Sequence, residues 1–345
     1  MPNVLTLLLA ILALAGPAFG QAPAPPPLLD IAAIPGIGTP GREAATRLLL
    51  ANLPRAFAIG PGGAWASRSG NAAPEAVAQA ALEACQERST GHAPCQLWLR
   101  DLEIAWPGRL WSPTPAPSTM GLREPLRDTV PDPRFLWWGP AQARGVVLFG
   151  HGRNSSGADS RGQQPQVWLR HFNNAGFDVW RFDRAYAADA TQRAAAWMRA
   201  DLAALRGHGY RVVIAAGQSR GGWNALQALD TPGLLDAAIA IAPAALPSMD
   251  EAGQARQMAN LRQIIAQARN ARARLAVANF RDDPFNGLPD ERATALSGLQ
   301  GRVAAMLMID RPEGLAGHGA GASRAFADRF GPCLLRFVEG AAPAC

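Results

Sequence analysis

Ser219 lies in the sequence Gly-Gln-Ser-Arg-Gly, with one glycine two residues before the serine and another two residues after it. This spacing permits a tight turn from a strand into a helix, and the turn projects the serine hydroxyl away from the backbone. Residues 212–216 form an apolar run that predicts a buried strand, and residues 223–229 suit a helix. The spacing also occurs by chance in structural loops, but the strand and helix around it favour a nucleophilic serine.

A nucleophilic serine needs a base to accept its proton and a carboxylate to orient that base. Of the five histidines, His318 alone follows Ser219 in the chain, and it lies in a glycine-rich stretch after the last apolar run. A lone histidine in a loop usually has no catalytic role, but these features together favour a base. Two adjacent carboxylates, Asp282 and Asp283, follow the strand predicted at residues 274–279. The residues themselves leave the acid open between these two.

Strands and helices are predicted to alternate from residue 144 onward. Such alternation is typical of a mostly parallel sheet covered by helices on both faces. Helices are predicted at residues 166–174 and 191–206. The predicted strands are residues 145–150, 177–182, 211–216, 237–242, 274–279 and 304–309.

These features resemble the α/β-hydrolase superfamily over about residues 144–339. The resemblance rests on four motifs in the order that this family has: Phe-Gly-His-Gly-Arg at residues 149–153, the serine motif, an aspartate before a proline at residues 283–284, and His318. It implies a mostly parallel central sheet flanked by helices (the α/β-hydrolase fold), a serine hydrolase activity and no cofactor. The superfamily includes esterases, lipases, thioesterases, peptidases and lactonases, so the substrate stays open.

The resemblance also implies roles for individual residues. An aspartate directly before a proline in this loop is similar to the acid of many relatives, which favours Asp283 and leaves Asp282 as a turn or salt-bridge residue. Two backbone N–H groups should form the oxyanion hole, one from Arg220 after the nucleophile and one from Arg153 in the His-Gly element. His151 is then expected to be structural.

The side chains of Arg153 and Arg220 allow two interpretations. If both guanidinium groups point into the cleft, they raise its potential and favour anionic substrates. The alternative is that both turn outward into salt bridges with carboxylates such as Asp183 or Asp282. The sequence does not choose between these arrangements.

The start of the chain predicts a signal peptide over residues 1–20. Residues 4–15 are apolar and small residues at 18–20 precede Gln21, although no lysine or arginine stands before the apolar run. The run is shorter than the roughly 20 residues that span a bilayer. No cysteine lies near the cleavage point, which disfavours a lipoprotein. We therefore expect a periplasmic or secreted protein without a stable membrane anchor.

The composition of the remaining chain divides it into four segments. A Pro/Gly-rich linker is predicted at residues 21–53, a small β-α-β module at 54–110, an irregular connector at 111–140, and the α/β-hydrolase domain at 141–345. The module is a small α+β unit and resembles a short module of bacterial exported proteins. Tryptophans in and after it could line a sugar or lipid site, but core packing is favoured; they are Trp98, Trp106, Trp111, Trp137 and Trp138.

The four cysteines are Cys85, Cys95, Cys333 and Cys345. An even number in an exported protein predicts disulfides, and four cysteines allow three pairings. Proximity in sequence favours Cys85 with Cys95 and Cys333 with Cys345. A metal site is the rival interpretation, but there is no Cys-x-x-Cys spacing and only His92 is nearby, so we expect no metal.

The net charge of +6 comes from arginines that are scattered singly, since the chain contains no lysine, and this pattern disfavours a nucleic-acid partner. We expect a secreted or periplasmic serine hydrolase that cleaves an ester or thioester of a small-molecule or acyl substrate through a Ser-His-Asp triad. Contact with the cell envelope is assigned to the N-terminal module. The alternatives are a peptidase on the same fold and a catalytically silent protein that binds an envelope component.

Overall fold

The computed structural model of the chain describes residues 24–91, 93–154, 156–245 and 250–345. These residues form two sheets, a small antiparallel sheet followed by a large, mostly parallel one. The signal peptide predicted at residues 1–20 and His92 lie outside the described residues. Within the described ranges, no helix combines the length and the apolar content that crossing a bilayer requires.

The small sheet has the strand order β2-β1-β3-β4 and carries two helices. In chain order its unit consists of α1 (Thr39–Leu49), β1 (Arg55–Ile59), β2 (Trp65–Ser69), α2 (Pro74–Gln86), β3 (Gln96–Arg100) and β4 (Glu103–Ile104). The predicted strand-helix-strand succession corresponds to β1, α2 and β3. The apolar pattern missed β2 and β4 because β2 is half-exposed at an edge and β4 has only two residues.

The segment predicted as a linker at residues 21–53 contains helix α1 in its second half. Pro40 occupies the first turn of this helix, where a missing N–H costs nothing. Leu48 and Leu49 are buried in a cluster with Phe57 and Trp98 of the small sheet. The proline and glycine content that predicted a linker therefore marks the start of a packed helix. Trp98 belongs to this core, as the packing interpretation of the tryptophans expects.

The large sheet contains eight strands in the order β5-β6-β8-β7-β9-β10-β11-β12. Strands β7 to β12 pair in parallel, whereas β5 and β6 are antiparallel to their neighbours. This order, with its antiparallel second strand, is that of the α/β-hydrolase fold, as predicted. The strands are β5 (Leu122–Glu124), β6 (Arg127–Pro131), β7 (Gly145–Gly150), β8 (Phe177–Arg184), β9 (Val213–Gln218), β10 (Ala237–Ile241), β11 (Arg274–Asn279) and β12 (Ala305–Asp310).

All six predicted strands of this sheet are present, but its first two strands lie in the segment predicted as an irregular connector at residues 111–140. β6 pairs with β8 along Arg127–Pro131, so the hydrolase sheet begins by residue 122 rather than at 141. The prolines around these strands hid them: Pro125 lies in the turn between β5 and β6, and Pro131 is the last residue of β6, beyond the residues that pair with β5.

Helices cover both faces of the large sheet and enclose two apolar layers. One layer holds Phe172 and Phe330 against the sheet, and the other holds Met198, Trp223 and Leu261. The helices are α3 (Leu169–Asn174), α4 (Thr191–Gly207), α5 (Arg220–Gln227), α6 (Glu251–Gln267), α7 (Pro289–Ser297) and α8 (Arg324–Val338). Helices α3 and α8 cover the first layer, and α4 to α7 cover the second.

Two disulfides join the predicted pairs, Cys85 with Cys95 and Cys333 with Cys345. The first ties the end of α2 to the start of β3, and the second ties α8 to the last residue of the chain. The small unit is held to the large one by Gln164, whose amide accepts from the Leu53 N–H at 2.8 Å and donates to the Leu53 carbonyl at 3.0 Å.

Candidate active site

Ser219 occupies the turn between β9 and α5, with a φ of 55° and a ψ of −116°. A serine rarely adopts a positive φ, and the strain persists only where the surroundings hold it. Here the Ser219 N–H donates to the Ile241 carbonyl at 2.9 Å, and the Ser219 carbonyl accepts from the Trp223 N–H at 2.9 Å. The predicted nucleophile therefore lies on a strained elbow at the carboxyl edge of the sheet.

The two glycines of the motif are required by close backbone contacts. A Cβ on Gly221 would lie 1.9 Å from the carbonyl oxygen of Gly150, and a Cβ on Gly217 would lie 2.3 Å from the carbonyl carbon of Gly221. Neither contact can relax by moving a flexible side chain, since both involve backbone atoms. The elbow packs this tightly because α5 crosses directly over β7 and β9.

His318 lies in the loop after β12, and its Nδ1 is 2.9 Å and 3.0 Å from the two carboxylate oxygens of Asp283. The side chain of Asp283 is 2% exposed and that of His318 is 19% exposed, so the acid is buried while the base reaches the surface of the cleft. The ring of Phe285 packs edge-on against the His318 ring, with the centroids 4.5 Å apart. A carboxylate in this position fixes the imidazole with its proton on Nδ1.

Asp282, the other candidate acid, forms no hydrogen bond or ion pair with His318. It is exposed, and its φ of 55° places it in the left-handed region. This turn separates the two neighbours, so that Asp283 enters the interior while Asp282 faces solvent. The structure therefore brings Asp283 to the base.

The loop that carries Asp283 is fixed by two buried glutamines of α6. Gln257 donates to the Phe285 carbonyl at 2.5 Å and accepts from the Ala245 N–H at 2.8 Å. Gln254 donates to the Pro284 carbonyl at 3.2 Å and accepts from a backbone N–H of the same loop at 3.1 Å. Sequence reasoning missed both, because no local pattern shows which loop a glutamine side chain on a helix will reach.

A buried arginine lies close to the acid. Arg292 is 2% exposed and donates to the Pro243 carbonyl. Burial lowers the pKa of Arg292 to about 10, and the charge of Asp283 acts in the opposite direction. The carboxylate of Asp283 therefore compensates a buried cation in addition to its hydrogen bond with His318 Nδ1.

The base loop rests against the elbow through Gln218, the residue before the nucleophile. Its side-chain Nε2 donates to the His318 carbonyl at 3.1 Å. The loop after β7 approaches from the other side: a Cβ on Gly152 would lie 3.2 Å from the Cβ of Ser219. Ser219 is thus placed between the loop of the base and the loop that carries Arg153.

The two N–H groups predicted for the oxyanion hole lie on these elements. Arg220 is the first residue of α5, and Arg153 follows Gly152 directly. Neither backbone N–H donates a hydrogen bond to another residue among those that the structure describes. The N-terminus of α5 adds its dipole to the same side of the serine, where it favours negative charge.

His151 is neutral and buried, consistent with the structural role expected of it. Its Nδ1 lies 2.7 Å from the Gly152 carbonyl, and its Nε2 accepts from the Arg184 N–H at 2.9 Å. These partners fix the proton on Nδ1. Burial, and secondarily the charge of Arg184, lower the pKa of His151 to about 3. Because it holds the Gly152 carbonyl, His151 also fixes the peptide group that carries the Arg153 N–H.

The guanidinium group of Arg220 follows neither of the two predicted arrangements, because it is buried against Asp189. Arg220 is buried, donates to the Asp189 carbonyl at 2.6 Å and lies 3.8 Å from the Asp189 carboxylate. Arg153 stacks 4.3 Å from the ring centroid of Tyr186. Asp183, offered as a partner, pairs with Arg181 instead. The buried charge of Arg220 is thus compensated internally by Asp189, which no local pattern marks as its partner.

No protein-family model and no curated protein matches the sequence. Several solved structures are similar to it. An esterase of Pyrococcus furiosus is 15% identical with a TM-score of 0.43, over 57% of this chain and 84% of that one. An S-formylglutathione hydrolase from Agrobacterium tumefaciens is 16% identical with a TM-score of 0.41, over 64% of this chain and 92% of that one. Porphyromonas gingivalis dipeptidyl peptidase 4 is 16% identical with a TM-score of 0.43, over 61% of this chain and 33% of that one. Identities this low carry no information on substrate, which has to come from the site.

Proposed function

We propose that this chain is a serine hydrolase that cleaves an ester or thioester bond, with Ser219 as nucleophile, His318 as base and Asp283 as acid. The observation that carries the proposal is the buried Asp283, whose carboxylate holds His318 Nδ1 at 2.9 Å in a loop that contacts the strained elbow of Ser219. A structural serine has no need of a positive φ, a buried carboxylate and a histidine arranged in this way.

The proposed reaction begins when the Ser219 Oγ attacks the carbonyl carbon while His318 Nε2 accepts its proton. The N–H groups of Arg220 and Arg153 donate to the oxyanion of the tetrahedral intermediate. His318 then gives the proton to the leaving alcohol or thiol, and an acyl group remains on Ser219. Water, deprotonated by the same histidine, attacks this acyl-enzyme and releases the acid.

An ester or thioester is favoured over a peptide by what the described residues place between the strands of the large sheet. Between β10 and β11, the described part of the chain carries a single helix, α6, and peptidases on this fold usually carry a propeller or a large cap. Peptide cleavage is the alternative on the same fold.

The two disulfides indicate an oxidising compartment. We place the protein in the periplasm or outside the cell, in agreement with the signal peptide expected at residues 1–20. Its partner in this proposal is a small acyl substrate, and the small N-terminal unit is the part assigned to contact with the cell envelope.

A fluorophosphonate probe tests the proposal directly. It should label Ser219 in the native chain, and neither Ser219→Ala nor urea-unfolded protein should be labelled. Absence of labelling in the folded chain would support the catalytically silent alternative.

A panel of p-nitrophenyl esters from acetyl to palmitoyl measures the reaction. Ser219→Ala and His318→Ala should each abolish nearly all turnover while the melting temperature stays close to that of the native chain. The double variant should cost little more than either single one, because the two residues act as one unit. Additive losses would contradict the shared mechanism. Cleavage of peptide substrates in preference to every ester would move the assignment to the peptidase.

A further inference from the structure

A cavity of about 170 Å³ opens beside the elbow, and the proposed mechanism does not use it. Gly152 and Gln218 form its wall next to the nucleophile, and a Cβ on Gly152 would lie 3.2 Å from the Cβ of Ser219. Gln163 and Gln166 line another part of it. One of the two substituents of a carbonyl bound at Ser219 is therefore within reach of this cavity.

The cavity offers hydrogen-bonding groups of both kinds. The Gln166 Oε1 accepts from the Trp168 Nε1–H at 2.8 Å, which leaves the amide NH₂ of Gln166 as a donor. Gln218 donates its NH₂ to the His318 carbonyl, which leaves its Oε1 as an acceptor. The side-chain amide of Gln163, with one donor and one acceptor end, makes no hydrogen bond within the described residues.

The charged residues of the cavity wall compensate one another. Arg181 lies 2.8 Å from the Asp183 carboxylate and 3.1 Å from that of Asp132. Asp183 also accepts from the Gly162 N–H through the oxygen that faces Arg181. Asp132 also pairs with Arg134 at 2.6 Å, so this group contains two arginines and two aspartates and has no net charge to attract an ionic substrate. Of the two arginines behind the earlier expectation of an anionic preference, Arg220 is buried against Asp189, and Arg153 stacks on Tyr186 and is not among the residues that line this cavity.

We propose that this cavity binds an uncharged, hydroxyl-bearing group of the substrate, such as a sugar ring or a polyol. A hydroxyl group both donates and accepts, so it satisfies amide NH₂ groups and amide oxygens side by side. An apolar group of the same size would displace water from these amides without replacing its hydrogen bonds, and such sites discriminate strongly against analogues that lack the polar group. This inference rests on the proposed function, since it names the substrate class of the same site.

Matched pairs of esters test the inference. For the alcohol side, methyl 6-O-acetylglucoside is compared with cyclohexylmethyl acetate, which has the same acyl group and a ring of similar size. For the acyl side, p-nitrophenyl 3-hydroxybutyrate is compared with p-nitrophenyl butyrate. We expect the hydroxylated member of one pair to have a kcat/KM at least tenfold higher than its apolar partner. A preference for the apolar member in both pairs would overturn the inference.

Substitutions in the cavity wall test whether the cavity causes such a preference. Gln163→Leu and Gln166→Leu should each lower the ratio of kcat/KM between the paired esters by about two- to tenfold, the effect of one hydrogen bond. Gln163→Leu is the cleaner test, because Gln166 also supports Trp168. The matched control is Gln192→Leu, an exposed glutamine on α4, which should leave the ratio unchanged. A preference that survives in the Gln163→Leu, Gln166→Leu double variant would also overturn the inference.

Binding separates this inference from the proposed function. The Ser219→Ala chain should bind methyl 6-O-acetylglucoside in saturation-transfer NMR more strongly than cyclohexylmethyl acetate, whether or not the native chain turns either ester over. Loss of fluorophosphonate labelling would refute the proposed function, whereas equal or reversed binding of the two esters would refute the cavity assignment alone.

Discussion

The two neighbouring aspartates provide the sharpest test of the site, because one substitution of the same kind can be made at each. In the native chain the Phe285 N–H donates to Asp283 Oδ1 at 2.9 Å. In Asp283→Asn the amide oxygen takes the place of Oδ1 and keeps this hydrogen bond. The NH₂ group then takes the place of the oxygen that lies 3.0 Å from His318 Nδ1. Two donors cannot face each other there, and the one remaining oxygen, 2.9 Å from Nδ1, already accepts from the Phe285 N–H. An imidazole that accepts from this NH₂ group at Nδ1 carries its proton on Nε2 and cannot accept the proton of Ser219.

The expected loss in kcat is about 10⁴-fold, the size of effect that a wrong histidine tautomer produces. This corresponds to about 5 kcal/mol of transition-state stabilisation, at 1.36 kcal/mol for each factor of ten. The same substitution also removes the charge that compensates the buried Arg292, so the free energy of unfolding should fall by about 1–3 kcal/mol. The variant should therefore remain folded while it is nearly inactive.

Asp282→Asn is the matched control. Asp282 is exposed and has a φ of 55°, a conformation that asparagine accepts at least as well as aspartate. We expect its kcat to stay within about twofold of the native chain. The assay is p-nitrophenyl butyrate hydrolysis at saturating substrate, with thermal unfolding of each variant measured in parallel. A loss of less than tenfold in Asp283→Asn, or a larger loss in Asp282→Asn, would refute the assignment of the acid.

Three further predictions concern the fold around the site. Gly221→Ala should abolish both activity and fluorophosphonate labelling, because its Cβ would lie 1.9 Å from the carbonyl oxygen of Gly150; labelling at the native rate would show that the elbow can open. Burial raises the pKa of Asp178 to about 6, above the unfolded value, so its contribution to stability is full below about pH 4 and is lost as the pH rises to about 6. Urea unfolding should show that Asp178→Asn removes about 3 kcal/mol of this pH dependence, and an unchanged slope would contradict the shift. Reduction with dithiothreitol should lower the midpoint of urea unfolding, since each bridge closes a loop of 10 or 12 residues worth about 3 kcal/mol in chain entropy; an unchanged midpoint would mean that the bridges lie in segments already frayed.

The parts of the site that could be predicted are those encoded locally. The spacing around Ser219, the apolar strand before it and the position of His318 after the last strand all lie within short segments. The choice between Asp282 and Asp283 is not encoded in this way, and the residues themselves left it open. It depends on the backbone, because the positive φ of Asp282 decides which carboxylate turns inward.

The parts that sequence reasoning missed depend on contacts between distant segments. Arg220 is compensated by Asp189, which belongs to another loop, and Gln257 reaches the acid loop from α6. No local periodicity reports such pairs. Where the fold itself was misjudged, at α1 and at β6, prolines and glycines in packed elements had the composition of linkers.

The pairing of the four cysteines has a consequence for how the chain acquires its bridges. Each cysteine is joined to the cysteine nearest to it in sequence, and the two paired positions are 10 and 12 residues apart. Short loops bring their ends together at high effective concentration, whereas either of the other two connectivities would require closing loops of more than 200 residues. If the cysteines reach the oxidant in sequence order, each one meets its native partner before any other unpaired cysteine. Oxidative folding should therefore proceed without disulfide exchange.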